Sequence, residues 1–114
     1  METFAYFNQI HKQIIKELSL AESEIIIAVA WFTDRDIFQL LCKKAVKGIS
    51  VNIALMDDSI NKRAPFEYDQ LRDSGGKIYL IPGGKSKLMH HKFCIIDRKK
   101  VITGSYNWSK SARK

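Results

Sequence analysis

His90, Lys92, Ser105 and Asn107 are the residues of this 114-residue chain whose types and spacing could do chemistry. His90 and Lys92 are two apart inside an extended run at 88–97, and Ser105 and Asn107 are two apart inside a second run at 100–107. Side chains two apart on a strand share a face. If the two runs pair and present those residues on the same face, an imidazole, an ammonium, a hydroxyl and an amide converge. Imidazole is a nucleophile or acid–base group that titrates near neutrality. The other three can hold phosphate oxygens by charge and hydrogen bonding. No pair of carboxylates lies nearby in sequence to hold a divalent metal, so neither a metal nor a cofactor is expected.

His90-His91-Lys92-Phe93-Cys94-Ile95-Ile96-Asp97 has the form H-x-K-x4-D, and Gly104-Ser105-Tyr106-Asn107 follows it. Together these residues resemble the HKD motif of the phospholipase D superfamily. The resemblance extends upstream to Ala30-Trp31-Phe32-Thr33-Asp34-Arg35-Asp36 and to the Gly75-Gly76 turn, and so covers nearly the whole chain. It implies a metal-independent phosphodiesterase in which His90 attacks phosphorus to form a phosphohistidine. A second His would protonate the leaving oxygen and then activate water. Lys92 and Asn107 would neutralise and orient the phosphoryl oxygens, and Ser105 would support the phosphate or His90. One motif supplies one His, and single-motif members resemble half of a tandem enzyme. The resemblance therefore implies a homodimer with one composite site on its two-fold axis. It also implies a further strand and a closing helix after Asn107, with an early acid that orients the nucleophile. No Asp or Glu follows Asn107 in this chain. The expectation is a phospholipase D-like fold that lacks the family's last strand and helix.

Asp97 is the motif's named acid, but an odd number of residues separates it from His90 and it falls at the turn. Alternation points it away from the site, so a structural role in tying down the hairpin is expected, with Gly104 as its companion in the motif.

The elements that must position these residues can be traced from the N-terminus. Phe4, Phe7, Ile10, Ile14 and Leu18 recur at helical spacing, which predicts an amphipathic helix over residues 3–20. The short apolar run 25–31 suits a strand buried on both faces. Thr33, with Asp36 three residues later, is a capping pair for a helix carrying Ile37, Phe38, Leu40, Leu41 and Ala45, which Gly48 ends. A strand follows at 49–56, a helix at 65–72 with Pro65 in its first turn, and a strand at 77–82. Strand, helix, strand, helix, strand predicts a parallel core with helices on its faces. The runs 88–97 and 100–107 are joined so tightly that they must be antiparallel. The fold class is therefore α/β, with a mixed β-sheet made of a parallel β-α-β-α-β core and a C-terminal hairpin, in a single domain spanning 1–114.

Composition agrees with a globular domain: 46% hydrophobic and 27% charged residues. The net charge of +7 is unevenly distributed. Residues 1–84 hold ten Lys/Arg and eleven Asp/Glu, whereas 85–114 hold nine Lys/Arg and one acid. Such asymmetry favours a polyanionic partner, nucleic acid or anionic lipid, over a neutral one. Cys42 and Cys94 sit in apolar segments at a spacing that fits no zinc pattern, and read as buried reduced thiols. The first residues lack the features of a signal peptide, and the longest uncharged apolar run, 25–32, is far too short to span a bilayer. A cytoplasmic protein without a membrane span is expected.

Lys85 and Lys87, in the basic loop 82–87 that feeds the hairpin, are candidates for tracking the substrate backbone. Trp31 and Phe32, at the end of a buried strand, are candidates for lining the site or stacking a base, although core packing is the preferred account of both. Asp57 and Asp58 suit a cap or turn better than a metal site, since no third ligand is in view. The leading functional expectation is a nuclease. The alternatives are a phospholipid phosphodiesterase or transphosphatidylase, and a non-catalytic nucleic-acid-binding or dimerising module of a larger protein.

Overall fold

The computed structural model describes residues 2–5, 10–29, 32, 34–57, 59–62, 64, 66–82 and 92–104. Its elements in chain order are β1 (Glu2–Ala5), α1 (Ile10–Ser19), β2 (Glu24–Ala28), α2 (Arg35–Val46), β3 (Ser50–Asp57), α3 (Ser59–Lys62), α4 (Asp69–Asp73), β4 (Lys77–Pro82), β5 (Lys92–Ile96) and β6 (Lys100–Gly104). The strands form one sheet in the order β1-β6-β5-β2-β3-β4. β2, β3 and β4 pair in parallel, β5 pairs antiparallel with both β2 and β6, and β1 pairs in parallel with β6. Five strands therefore run one way and β5 alone runs the other. This is the mixed α/β sheet with a C-terminal hairpin that the sequence predicts.

Three local expectations are corrected. The helix predicted over 3–20 is described at Ile10–Ser19, and Glu2–Ala5 instead add a strand to β6, with Glu2 opposite Lys100 and Ala5 opposite Thr103. The cap of α2 is Asp34, not Thr33. Asp34 has an extended backbone, and its buried carboxylate accepts the Ile37 N–H at 3.1 Å. The helix predicted over 65–72 shrinks to Asp69–Asp73, and a short α3 precedes it.

The ends of α2 show how the sequence stops a helix. Gly48 adopts φ +92° and donates its N–H to the Ala45 carbonyl at 3.0 Å. This is the left-handed closure that glycine adopts without a Cβ penalty. Lys44 reaches from α2 to donate to the Ser19 carbonyl at 2.6 Å and the Ala21 carbonyl at 3.0 Å. A cation thus sits at the negative end of α1. Gly76 lies so close to α4 that a Cβ there would meet the Leu71 side chain at 2.6 Å.

Alternation along the strands sets where the core lies. Ile25 and Ile27 of β2, Val51, Ile53 and Leu55 of β3, Cys94 and Ile96 of β5 and Ile102 of β6 are buried in one cluster. They pack with Ile14 and Leu18 of α1, Ile37, Phe38 and Leu41 of α2 and Leu71 of α4. Residues of the other parity, including Ile26, Ala28, Ala54, Met56, Phe93 and Ile95, are half-buried. The apolar run of β2 is thus fully buried on one face and only partly on the other. The Lys100 ammonium, 2.9 Å from the largely buried Glu17 carboxylate, ties β6 to α1.

Candidate active site

The β5–β6 hairpin has a closed end and an open end. At the open end the main chain of Lys92 stands opposite Gly104. Because β5 alone is reversed, that end coincides with the C-terminal ends of β1, β2, β3, β4 and β6. In α/β sheets the crevice outside the carboxyl ends of the strands is where ligands bind. Further along the two strands, Cys94, Ile96 and Ile102 are residues of the buried face. His90, Ser105, Asn107, Lys85, Lys87 and Trp31 lie outside the described residues, as does Asp58.

Phe32 is the stacking candidate that is described, and it belongs to the core. Its ring is fully buried, edge-on to Phe38 at 6.1 Å centroid separation and edge-on to Phe66 at 6.0 Å. Phe38 and Phe66 stack on each other at 4.1 Å. A ring enclosed in this way is not free to stack a base, so the substrate-lining expectation for Phe32 is withdrawn.

What surrounds the Phe32 main chain had no sequence signal. Asn61, only 3% exposed, accepts the Phe32 N–H at 2.8 Å and donates to the Met56 carbonyl at 2.6 Å. The Tyr68 hydroxyl donates to the Phe32 carbonyl at 2.6 Å. The segments leaving β2 and β3 are therefore cross-tied by buried polar groups, which is a stable arrangement only when such groups are paired. An Asn and a Tyr in a mixed polar stretch carry no periodicity that would mark them beforehand. Asp57, at the end of β3, lies 3.7 Å from the Lys62 ammonium, and both side chains are substantially exposed.

At the closed end, Lys99 donates its N–H to the Ile96 carbonyl at 3.0 Å across Asp97 and Arg98, which have φ +54° and +58°. Two left-handed residues make the tight turn whose twist matches a hairpin. The Asp97 carboxylate accepts the N–H groups of Glu22, Ser23 and Glu24 at 2.9, 2.8 and 3.0 Å and the Ser23 hydroxyl at 3.0 Å. Partial desolvation pushes this carboxyl up, but the backbone donors of Glu24, Ser23 and Glu22 and the Ser23 hydroxyl together outweigh it and bring it down to about 2. Asp97 thus fastens the hairpin turn to the start of β2, at the opposite end of β5 from Lys92.

Cys42 and Cys94 are free and buried. Burial pushes both thiols up, with a hydrogen bond to Ser74 opposing the shift at Cys42, so neither is poised as a thiolate nucleophile. Among the described residues no three His, Cys, Asp or Glu side chains group closely enough to hold a metal ion. Nor is any described helix long and apolar enough to cross a membrane.

Comparison with known proteins bears on what this arrangement serves. The family described as cardiolipin synthase, PLD-like domain, matches residues 14–114. A phospholipase D from Rickettsia prowazekii is 32% identical over 105 residues, covering 90% of this chain and 49% of that protein. The chain thus spans about half the length of the curated relatives it matches. Among solved structures, NucT from Helicobacter pylori superposes with a TM-score of 0.67 at 30% identity, over 91% of this chain and 70% of that one. Nuc from Salmonella typhimurium, a phospholipase D family member, superposes with a TM-score of 0.66, over 90% of this chain and 66% of that one, and at 24% identity it shows the shared fold alone. On the strength of the family match over nearly its whole length, together with the motif carried by its hairpin, the chain belongs to the phospholipase D-like family.

Proposed function

We propose that this chain is a metal-independent phosphodiesterase acting on nucleic acid through a phosphohistidine, at a site completed by a second copy of itself. The observation that carries the reading is the pairing of Lys92 with Gly104 at the edge where the C-terminal ends of five strands gather. His90 is tethered two residues before Lys92 and Asn107 three residues after Gly104. Chain geometry limits their Cα atoms to within about 7 Å and about 11 Å of those anchors.

In the proposed reaction the His90 imidazole attacks phosphorus, and the bond to the leaving oxygen breaks. That oxygen takes a proton from the partner's His90. The partner's imidazole, now neutral, removes a proton from water, which attacks the phosphohistidine and releases His90 and a phosphomonoester. Lys92 and Asn107 hold the non-bridging oxygens as charge builds on them, and Ser105 steadies the phosphate or His90. Lys85 and Lys87 track the substrate backbone, in keeping with nine basic residues and one acid over 85–114.

A second reading, hydrolysis or transfer of a phospholipid headgroup, draws support from the similarity to the Rickettsia phospholipase D. The deciding experiment offers labelled single- and double-stranded DNA and RNA, and separately cardiolipin vesicles, to wild type and His90→Ala in excess EDTA. Nucleic-acid cleavage that survives EDTA and is lost in the variant is the expected result. Turnover of vesicles alone would overturn the choice of substrate. Cleavage retained by His90→Ala would overturn the mechanism.

A further inference from the structure

Helix α2 buries one stripe of its surface and leaves another beside α4. Ile37, Phe38, Leu41 and Ala45 enter the core. Gln39, Lys43, Val46 and Lys47, with Cys42 at the boundary, form one wall of a groove of about 490 Å³. Residues three and four apart on a helix are surface neighbours, so this wall is a continuous stripe. Gln70 and Ser74 of α4 form the other wall. The end of α4 is seated against α2, since a Cβ on Gly75 would lie 3.8 Å from the Ala45 carbonyl. A groove of this volume is within the range of ligand sites.

The chemistry of the two walls differs. On the α2 wall, Val46 is 72% exposed although it is aliphatic, and the largely buried Cys42 lies one turn below it. Lys43 and Lys47 are exposed, and neither forms an ion pair among the described residues. Like charges four residues apart on a helix repel. No carboxylate is among the residues that line the groove. An exposed aliphatic side chain beside two unpaired cations is a surface that an anionic, partly apolar ligand would cover. On the facing walls Gln39 and Gln70 each offer an amide, which can both donate to and accept from peptide groups. A groove for single-stranded nucleic acid is basic along its course and stacks bases on aromatic rings. This one carries cations on one wall and no ring on either.

Its place in the fold separates it from the hairpin's open end. The last turn of α2 leads through Gly48 into β3, whose first residue, Ser50, stands opposite Glu24 at the start of β2. The basic end of the groove thus lies beside the N-terminal ends of β2 and β3, at the far end of the sheet from Lys92 and Gly104. We propose that the α2–α4 groove docks an acidic segment of a partner protein, packing one aliphatic side chain on Val46 and Cys42 and pairing its carboxylates with Lys43 and Lys47. The inference does not rest on the nuclease reading.

The test titrates the 15N-labelled chain with an acetylated, amidated pentapeptide that carries a leucine between two pairs of glutamates, following amide shifts by NMR. Saturable shifts confined to residues 39–47 and 70–75 are expected. Alanine in place of the peptide's leucine should weaken binding about tenfold. Lys43→Ala combined with Lys47→Ala should weaken it about fivefold. Both lysines are exposed, so the spectrum of that variant should otherwise match wild type. Shifts spread over the other lysines, equal binding of a peptide with lysines for glutamates, or an alanine peptide that binds as well as the leucine one would overturn the inference. The absence of saturable shifts at millimolar peptide would do the same. A single-stranded oligothymidylate that shifts the same amides and binds more tightly than the peptide would assign the groove to nucleic acid and overturn the choice of partner.

Discussion

The two ends of the β5–β6 hairpin are built on opposite principles. The closed end is saturated: the Asp97 carboxylate takes hydrogen bonds from three successive backbone N–H groups and a hydroxyl, and the turn is closed by Lys99. At the open end, Lys92 and Gly104 are the last paired positions among the described residues, and the chain on either side carries the groups proposed to meet the phosphate. The same motif thus supplies an anchor at one end of the strand and the groups proposed to react at the other. Fixing one end lets the other be committed to a ligand.

That contrast can be broken from either side. The largest expected effect is at the open end, where Lys92→Ala should lower phosphodiester cleavage by about a hundredfold or more, since it removes a charged group from the developing phosphoryl charge. Its melting temperature should stay near that of wild type, and a collapse of the fold would show that Lys92 is an anchor as well. The reverse pattern is expected of Asp97→Ala. It strands three backbone donors and should destabilise the chain by about 3 kcal/mol, lowering the melting temperature by about 10–15 °C. Activity per folded molecule should survive, and a specific activity that falls as steeply as in Lys92→Ala would erase the distinction between the ends.

The anchor also carries a pH signature. The folded carboxyl of Asp97, at about 2, lies below its ordinary 3.8. As the pH falls, the unfolded chain takes up the proton first. The stabilisation is full above about pH 4 and is lost as pH falls through the folded value. Discounted for solvent screening, it amounts to about 1 kcal/mol. Urea midpoints of wild type and Asp97→Asn should therefore draw closer between pH 5 and pH 2.5, and a constant gap would assign the stabilisation to something other than the charge. The smallest effect is in the turn itself. Arg98 at φ +58° occupies a region that Asn tolerates better, and its bond to Glu24 is exposed, so Arg98→Asn should gain about 0.5 kcal/mol. A loss instead would mean that the Glu24 contact outweighs the backbone.

Much of this arrangement was legible in the residues. The alternation that sets Asp97 apart from His90 needs only counting, and the strands of the parallel core announce themselves as apolar runs bounded by Gly or Asp. Thr33 and Asp34 are both good caps one residue apart, and which one serves is decided by where the first turn docks. β1 was hidden because Phe4 fits the helical spacing of Phe7 and Ile10, while its actual partner is nearly a chain length away. The Asn61–Tyr68 tie was hidden for a different reason. Hydrogen bonds between loops obey no period and arise only once β2 and β3 are side by side.

The strand order carries a consequence for how the molecule assembles. The hairpin lies between β1 and β2, so among the described residues, 2–5 pair only with 100–103. During synthesis β1 has no partner among the described residues until β6 has emerged. Closing so long a loop costs entropy before any sheet contact offsets it, and pairing at such sequence separation slows folding. The β1–β6 seam should be the last to form and the first to open, with amide exchange fastest there and slowest in β2 and β3.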